Sequence, residues 1–563
     1  MKLTYDCEMF KKTFESEFTW LNGFMRNVGR FGYKQAVFDP MLDRSWTYSE
    51  LNADANKFAN ALRNDGVKKS NIIFMQLFNS PEFLYGYIAS QKIGAICNPA
   101  NFNLSPGETA EIIDHNKPTV YIYDAEIVQT AVKALSLCKH KIKTVIAVNP
   151  ASKEFNIPEG HILYEDFIKN CSEENPPVDF APHIYDEVVR LQTSGTTGTP
   201  KGVPLNNVNE VLSAHDVIMH FPLNPTDVTM NMTPWFHRGG LHSGGPTPTL
   251  YAGAAMVILR TFNPKNSINY IEKYGITFMT GVPSILTMLA DRQEKHPKDI
   301  STLKGIITMG SPLEKEACIR FQSVLTPNIF NGYGTTESFW NTFLRPFDLP
   351  EMSGTAGRSC TDDEVRVVRM YDDRKAEPDD TVPADSVTEG EIIIKCPGKS
   401  TYCYADNPEA TEEKFYKGWM YTGDIGTWDE KQFITVAGRK DDMIISKGEN
   451  IYPARIEEVL NCHPKVRESI VTGVPDITRG ECVAAYVIPE DSSLTVEELA
   501  EYCASSPDIS KYQAPRYYRF VNELPHTATG KKQHFVIKNQ AKKDLSEGLL
   551  IKASQRSGST QNN

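Results

Sequence analysis

The stretch "LQTSGTTGTPKGVPL", residues 191–205, is the starting point for interpreting the whole chain. Its residues 193–202 hold five hydroxyl side chains, three glycines and one lysine. Glycines let backbone N–H groups approach phosphate oxygens, hydroxyls donate further hydrogen bonds, and the lysine adds a positive charge. A P-loop is disfavoured, because its second glycine would fall on Pro200 and its Ser or Thr on Gly202. The stretch predicts a phosphate-binding loop of another kind rather than a Thr/Gly-rich surface turn.

Strand-like and helical segments alternate around this loop. The segment "WTYSELNADANKFANALRNDG" predicts a helix that opens with a capping box, Thr47 with Glu50, and stops at Gly66. The apolar run "NIIFMQLF" predicts a strand, and Ser80 with Pro81 predicts the start of the next helix. Apolar runs recur as "TVYIYD", "KTVIAVN", "AAMVIL", "ITFMTGV" and "GIITMGS". The alternation predicts an α/β fold, with parallel-rich sheets covered by helices.

The pattern changes near "VAGRKDDMIISKGENIYP". Before it, "EGEIIIKCPG" and "YTGDIGTWDEKQFITVAGR" alternate and break at glycines, which predicts antiparallel strands. After it, "SIVTGVPD" and "CVAAYVIPE" predict strands, and "LTVEELAEYCAS" predicts a helix with a capping box of Thr495 and Glu498. We therefore predict an N-terminal domain over 1–438, a hinge over 439–442, a small α+β domain over 443–548 and a disordered tail over 549–563.

Composition narrows the class of protein. The net charge of −12 argues against a nucleic-acid partner, because such proteins need basic faces. The first twenty residues hold no apolar run typical of a signal peptide, and the most apolar stretch, "GAAMVIL", is too short to cross a bilayer. The eleven cysteines include no Cys-x-x-Cys pair, which favours free thiols over disulfides or a zinc site. We expect a cytoplasmic protein without a transmembrane segment.

Residues 193–202 match the loop Thr-Ser-Gly-Thr-Thr-Gly-x-Pro-Lys-Gly at every fixed position. In this the chain resembles the adenylate-forming enzymes, which include acyl-CoA synthetases, luciferases and peptide-synthetase adenylation domains. Further motifs follow in the family's order: "NGYGTTE" from 331, "YTGD" from 421, "GRKDD" from 438, "ISKGENIYP" from 445 and "LPHTATGKKQ" from 524. The resemblance implies a large N-terminal domain with a small β-barrel-like subdomain, followed by a mobile C-terminal domain.

The same resemblance implies roles for single residues. Lys531 is the catalytic lysine by position, Thr336 contacts the α-phosphate, and Glu337 with Thr196 holds Mg²⁺. Nucleotide contacts are implied for Thr193, Ser194, Gly195, Thr196, Thr197, Lys201, Gly310, Ser311, Asn331, Gly332, Tyr333, Gly334, Thr335, Asp424 and Arg439. Asp441 takes the hinge position, and Lys447, Gly448 and Glu449 line the CoA tunnel. Two histidines depart from the family pattern, since His526 and His534 stand where the lysine motif usually has arginine.

The resemblance also locates an acyl pocket beside "PWFHRGGLH". His237 is expected to act there as a gating residue, and Arg238 meets solvent, phosphate or a second carboxylate of the substrate. The expected walls are Trp235, Arg238, Gly239, Gly281, Met309 and Trp340. Glycines leave room and aromatic rings make an apolar wall, so we expect a medium-sized apolar acid, whether aromatic, alicyclic or medium-chain.

These parts predict an ATP-dependent, AMP-forming carboxylic acid–CoA ligase whose cofactors and substrates are ATP, Mg²⁺, coenzyme A and an acid. The acid would attack the α-phosphate of ATP, pyrophosphate would leave, and the CoA thiol would attack the acyl adenylate, in a reaction that can run in either direction. One alternative is an enzyme that loads a separate carrier protein. Another is a nucleotide-binding protein without catalysis, against which intact Glu337, Asp424 and Lys531 argue. The sequence leaves open whether the protein forms a homodimer.

Overall fold

The computed structural model describes residues 4–149, 155–194, 200–371, 373–446, 449–476, 479–506, 509–510, 513–526 and 532–553. The helices in these ranges are α1 Glu8–Glu17, α2 Trp20–Phe31, α3 Tyr48–Asn64, α4 Pro81–Lys92, α5 Pro106–Asn116, α6 Val128–Leu137, α7 Tyr164–Phe167, α8 Asn207–His220, α9 Arg238–His242, α10 Pro246–Ala252, α11 Pro264–Tyr274, α12 Pro283–Lys295, α13 Lys315–Val324, α14 Pro408–Lys414, α15 Pro453–Asn461, α16 Val496–Ser505 and α17 His534–Ser546.

The strands are β1 Gln35–Asp39, β2 Arg44–Thr47, β3 Ile72–Gln76, β4 Ile96–Pro99, β5 Val120–Asp124, β6 Thr144–Val148, β7 Ile162–Leu163, β8 Glu187–Ser194, β9 Pro200–Asn206, β10 Val228–Asn231, β11 Ala255–Val257, β12 Phe278–Gly281, β13 Gly305–Met309, β14 Ile329–Thr335, β15 Phe339–Leu344, β16 Arg358–Ser359, β17 Glu364–Val368, β18 Gly390–Lys395, β19 Phe415–Tyr416, β20 Trp419–Trp428, β21 Ile434–Arg439, β22 Ile444–Ser446, β23 Glu449–Ile451, β24 Val466–Asp476, β25 Gly480–Pro489, β26 Tyr517–Phe520 and β27 Ile551–Lys552.

Two large sheets carry the N-terminal part of the chain. The nine-stranded sheet has the order β16–β15–β14–β13–β12–β10–β11–β1–β2, and the seven-stranded sheet has the order β7–β6–β5–β3–β4–β8–β9. Strands β10 to β14 pair in parallel, as do β3 to β7, whereas the edge strands β2, β9 and β16 pair antiparallel. The predicted α/β class with parallel-rich sheets is therefore confirmed.

Helix starts follow the capping residues that the sequence predicts. Thr47 and Glu50 form a reciprocal capping box at α3, and the Ser80 hydroxyl accepts the N–H of Phe83 at the start of α4. At α16 the outcome differs in part. The Thr495 hydroxyl accepts the N–H of Glu498, but the Glu498 carboxylate pairs with Lys465 instead of closing the box.

Two smaller sheets complete the chain. A five-stranded sheet has the order β17–β18–β20–β19, with β21 paired to β20, and it includes the antiparallel strands predicted before residue 439. A six-stranded sheet has the order β23–β22–β25–β26–β27, with β24 paired to β25. Strand β27 lies within residues 549–563, where the sequence predicted disorder, so that expectation is wrong for Ile551 and Lys552 because they pair with β26. Residues 554–563 lie outside the described ranges.

The chain divides into two compact units, one of residues 1–365 with 394–420 and one of residues 366–393 with 421–563. The predicted hinge at 439–442 lies inside the second unit, where Lys440–Asp442 form a short 3-10 turn. The hinge therefore stays a prediction. No helix in the described ranges is both long enough and apolar enough to cross a membrane. All eleven cysteines are free thiols.

Candidate active site

Strands β8 and β9 hold the two ends of the predicted phosphate loop together. They pair antiparallel, with Thr193 opposite Lys201 and Ser194 opposite Pro200. Residues 195–199, which include the predicted nucleotide contacts Gly195, Thr196 and Thr197, lie outside the described ranges. The Lys201 ammonium lies 5.3 Å from the centroid of the Tyr404 ring, which places a cation and an aromatic ring at the end of this hairpin.

Glu337 is a buried carboxylate in the turn between β14 and β15, and it is 6% exposed. The Tyr404 hydroxyl donates to its Oε1 over 2.5 Å. Burial raises the pKa of Glu337, but the nearby charge of Lys414 and the hydrogen bond from Tyr404 outweigh burial, so the pKa lies below its usual value. Glu337 is therefore an ionised carboxylate at neutral pH. The sequence did not single out Tyr404, because a tyrosine that supports a carboxylate carries no local signature.

The turn that presents Glu337 depends on a glycine and on one strained residue. A Cβ at Gly334 would lie 1.6 Å from the carbonyl oxygen of Phe339. Phe339 itself has a φ of 63°, a left-handed conformation that is costly for a residue with a side chain. Close approach of the two strands thus requires glycine in "GYGTTE", which gives a physical reason for the motif.

Gly334→Ala is expected to open this hairpin and to displace Glu337. Because the clash is with backbone, we expect a loss of about 1–3 kcal/mol in the free energy of unfolding, measured by urea denaturation. Adenylate formation should fall in parallel, by about tenfold or more. Gly107→Ala is the matched control, because nothing lies within 4 Å of the added Cβ in helix α5, and it should be neutral or stabilising. Equal effects of the two variants would contradict the role of the close approach.

The register of β13 and β14 separates two faces at their carboxyl ends. Thr308 pairs with Asn331, and Met309 pairs with Gly332. Directly paired residues share a face and neighbours along a strand alternate, so Thr308, Asn331 and Tyr333 share one face, opposite to Met309 and Gly332. Thr308 Oγ1 and Asn331 Oδ1 are buried without a hydrogen-bond partner among the described residues. The first face thus offers polar atoms to a nucleotide, and Thr308 joins the predicted residues there.

The second face carries Met309, a predicted wall of the acyl pocket, and Gly332. A Cβ at Gly239 would lie 2.9 Å from Met309 Sδ, and a Cβ at Gly332 would lie 3.2 Å from Trp340 Nε1. The room that these glycines leave is therefore covered by a flexible thioether and by an indole ring. Methionine adapts its shape readily, so this pocket can widen when an acid enters.

Three predicted nucleotide residues lie at the carboxyl ends of β13 and β14. Gly310 has a φ of 88° and ends the strand in a left-handed turn, and Ser311 after it is exposed. The Thr335 hydroxyl lies 2.9 Å from the Ser338 hydroxyl. Thr336 beside it is half-buried. All of these residues lie at the same edge of the nine-stranded sheet as Met309, because they follow the carboxyl ends of parallel strands.

Two residues predicted as walls of the acyl pocket, Trp235 and Gly281, do not lie on the face that carries Met309 and Gly332. Trp235 is buried in the core of the first unit, where its ring meets Phe83 edge-on at 5.4 Å. Gly281 pairs with Thr308, which places it on the nucleotide face, and a Cβ there would meet Met232 at 2.8 Å. The geometry therefore favours Met309 and Trp340 over these two residues as walls of the acyl pocket.

His237, the predicted gating residue, occupies the N-cap position of helix α9, and its ring lies 4.2 Å from that of Phe236.

Arg238 is buried among protein atoms rather than exposed to solvent. Its Nη2 donates to Ser213 Oγ over 3.0 Å and to the carbonyl of Lys399 over 3.1 Å. Burial lowers the pKa of Arg238 to about 10, against the opposing charge of the Glu210 carboxylate, so the guanidinium stays charged at neutral pH. Glu210 is itself fully buried and accepts hydrogen bonds from Tyr87 and His242. This buried ionic group was not visible in the sequence.

A second buried ionic group lies beside it. The Lys399 ammonium lies 2.9 Å from Asp216 and 2.8 Å from Asp363, and it also donates to the carbonyl of Trp340. Asp216, His220 and Cys360 place potential ligand atoms within 4.8 Å of one another. The ammonium already supplies the positive charge that Asp216 needs, so this cluster is an ion pair that supports Trp340 rather than a metal site.

The second unit brings two predicted ribose contacts together. Asp424 on β20 pairs with Arg439 on β21, and Nη1 of Arg439 lies 3.0 Å from the Asp424 carboxylate. Arg439 also lies 3.6 Å from Asp441. Asp424 is 8% exposed, so its carboxylate is largely buried. The predicted CoA contacts Lys447 and Gly448 lie outside the described ranges, and Glu449 begins β23.

Lys531, the predicted catalytic lysine, also lies outside the described ranges, but its neighbours do not. The buried Glu457 carboxylate accepts from Lys532 over 2.7 Å and from His534 over 2.6 Å. His526 donates to Glu468 over 2.7 Å on the other side of the segment. Both histidines that depart from the family pattern thus contact carboxylates, as arginines would, and they fix the two ends of the lysine segment.

The His534–Glu457 pair should make the free energy of unfolding depend on pH. Burial lowers the pKa of His534, but the Glu457 hydrogen bond and charge raise it above its usual value. A raised histidine pKa adds stability that is full below about pH 6.5 and is lost as pH rises through the folded-state pKa. His534→Gln should therefore cost about 1 kcal/mol at about pH 5.5 and less at about pH 8.5, measured by urea denaturation. The exposed His296→Gln is the control, and parallel pH profiles of wild type and His534→Gln would contradict the pair.

Comparisons with known proteins cover nearly the whole chain. A family model described as AMP-binding enzyme matches residues 24–402, and one described as AMP-binding enzyme C-terminal domain matches residues 455–531. An indoleacetate–CoA ligase of Aromatoleum aromaticum is 31% identical over 510 residues, which are 90% of this chain and 95% of that protein.

Solved structures agree with these matches. An anthranilate–CoA ligase in complex with anthranoyl-AMP has a TM-score of 0.82 at 25% identity, covering 94% of this chain and 98% of that one. An O-succinylbenzoate coenzyme A synthetase from Bacillus subtilis, in complex with ATP and magnesium ion, has a TM-score of 0.78 at 25% identity, covering 92% and 98%. The overlap spans both units of the chain.

Proposed function

The chain belongs to the family of AMP-binding enzymes, and on that premise we propose its substrate class and the roles of its residues. It is an AMP-forming carboxylic acid–CoA ligase that joins an acid to CoA through an acyl adenylate. The acid oxygen attacks the α-phosphate of ATP, the bond to pyrophosphate breaks, and the CoA sulfur then displaces AMP. The eleven free thiols support a reducing compartment, which fits the cytoplasm.

Catalysis of the first step is electrostatic in this proposal. Negative charge builds on the α-phosphate oxygens in the transition state, so fixed cations and hydrogen-bond donors lower the barrier. Lys531 and Lys201 supply the cations, and Thr336 supplies a hydroxyl. Asp424 accepts the two ribose hydroxyls, which orients the nucleotide for in-line attack. The chain needs no side-chain nucleophile for either step.

Glu337 fits the role of magnesium ligand. It is an ionised, buried carboxylate whose Oε1 is oriented by Tyr404, and magnesium prefers hard oxygen ligands shared with nucleotide phosphates. A bound Mg²⁺ would neutralise phosphate charge at this position. Thr196, the second proposed ligand, lies outside the described residues.

The acid is a medium-sized aromatic or other apolar acid. One observation carries this proposal: the acyl face is lined by Met309, Gly239, Gly332 and Trp340, which together form an apolar, adaptable wall. Indoleacetate and anthranilate are the acids in the names of two similar proteins, and both are aromatic.

Release of pyrophosphate tests the proposal. The purified chain is incubated with ATP, Mg²⁺ and each member of a panel of acids, from acetate through medium-chain fatty acids to aryl acetates and cinnamates, with and without CoA. We expect release that requires an acid, that turns over only with CoA, and that is fastest with aromatic acids. Acetate as the best substrate would overturn the substrate class. A single-turnover burst that CoA does not change would instead favour a carrier protein as acceptor.

A further inference from the structure

Trp340 carries a buried hydrogen-bond donor that no described residue satisfies. The residue is 2% exposed, and its ring stacks on Phe339 at 4.8 Å and tilts against Phe343 at 4.7 Å. Its Nε1 has no hydrogen-bond partner among the described residues. A buried indole N–H normally finds an acceptor, so this donor is available to a ligand as far as the described residues are concerned.

The donor lies on the acyl face. Trp340 Nε1 is 3.2 Å from the position that a Cβ on Gly332 would take. Gly332 pairs directly with Met309, whose sulfur covers Gly239. An acid that displaces the Met309 side chain therefore comes to lie beside the Trp340 N–H. The Lys399 ammonium donates to the carbonyl of Trp340 and so holds the backbone of this residue in place.

The charges nearby decide which acceptor fits. The Lys399 ammonium, which donates to the carbonyl of Trp340, is already paired with Asp216 and Asp363. A second carboxylate on the acyl body would add uncompensated negative charge to this buried region. A neutral oxygen adds none, and it satisfies the indole N–H.

We propose that Trp340 is a specificity-determining residue whose indole N–H donates a hydrogen bond to a neutral oxygen on the body of the acid, in the form of a hydroxyl, ether or carbonyl group. This inference rests on the proposed function, because it assumes that the acid lies on the acyl face. It narrows the substrate class from apolar acids to apolar acids that carry one neutral acceptor.

The test compares isosteric acids that differ in one acceptor. Phenylacetic and cinnamic acids are used with a hydroxyl or a methyl group at each ring position, and kcat/KM is measured from CoA-dependent pyrophosphate release. In the wild type, at least one hydroxy acid should exceed its methyl counterpart by about tenfold or more, because the methyl group leaves the N–H unpaired. In Trp340→Phe this ratio should fall to about one, because the hydroxy acid loses the hydrogen bond and the methyl acid has none to lose.

Trp235→Phe is the matched control. It removes another buried indole N–H without a described partner, but that ring packs in the core of the first unit. We expect it to change both members of each pair by the same factor. Trp340→Leu replaces the phenylalanine variant where the latter does not fold.

The possible results distinguish failure of the proposed role of Trp340 from failure of the proposed function. A ratio near one for every pair in the wild type, or a preference that persists in Trp340→Phe, overturns the role of Trp340 while the ligase activity stands. Better turnover of a dicarboxylic acid overturns the neutral acceptor. Absence of CoA-dependent pyrophosphate release with every acid overturns the proposed function, and the role of Trp340 with it.

Discussion

Lys531→Ala should lower the rate of adenylate formation by about 100- to 1,000-fold while thioester formation from presynthesised acyl adenylate stays within about threefold of wild type. The lysine is proposed to neutralise charge on the phosphate during the first step alone. In the second step the phosphate is already the leaving group, and the CoA thiol attacks the carbonyl carbon. A single ammonium can therefore matter for one half-reaction and be dispensable for the other.

The two half-reactions can be measured separately. Single-turnover pyrophosphate release reports the first, and CoA-dependent AMP release from the purified acyl adenylate reports the second. Lys542→Ala, at an exposed position on α17, is the matched control and should leave both rates unchanged. Equal losses of Lys531→Ala in both half-reactions would contradict the proposed division of labour. A defect of the same size in Glu457→Gln, which frees the adjacent Lys532 and His534, would show that placement of the segment is limiting.

Glu337→Gln carries the second largest expected effect. Glutamine keeps the size of the side chain and an oxygen that can accept from Tyr404, but it removes the negative charge from a buried position. Loss of a charged magnesium ligand should reduce kcat/KM for MgATP in adenylate formation by about 100-fold. The required Mg²⁺ concentration should rise, because the remaining oxygen ligands bind the ion more weakly.

Titration with Mg²⁺ at fixed ATP measures this effect. Tyr404→Phe separates charge from orientation, since it leaves Glu337 ionised but removes the hydroxyl that orients Oε1. We expect it to cost about tenfold, which is clearly less than Glu337→Gln. An unchanged Mg²⁺ dependence in Glu337→Gln would remove Glu337 from the metal site, even if the overall rate fell.

Much of the fold was predictable, because its signals are local. The capping residues Thr47 and Ser80 set the starts of α3 and α4, and continuous apolar runs marked the buried parallel strands. The family's motifs gave the class of reaction through the order in which they follow one another. Predictions failed where a contact elsewhere in the chain decided the outcome: Glu498 pairs with Lys465 rather than with its own cap, and Ile551 pairs with β26.

Part of the candidate site followed from the sequence in the same way. "NGYGTTE" predicted Glu337 as a metal ligand, and the structure buries it. "YTGD" with "GRKDD" predicted Asp424 and Arg439 as nucleotide contacts, and the structure pairs them. Tyr404 lies 67 residues from Glu337, and no spacing rule connects them. Arg238 shows the same limit, because its partners lie on α8 and after β18, far away in the chain.

The sequence by itself thus determined the fold class and the chemistry, because phosphate loops, helix caps and strands depend on residues that are neighbours in the chain. Only the tertiary structure decided which side chains share a face at the sheet edge. The register of β13 against β14 separates Thr308 from Met309, although the two are adjacent in the chain. It also brings Trp340 over Gly332 and leaves its indole N–H without a partner among the described residues, because burial and pairing arise only when distant segments pack together.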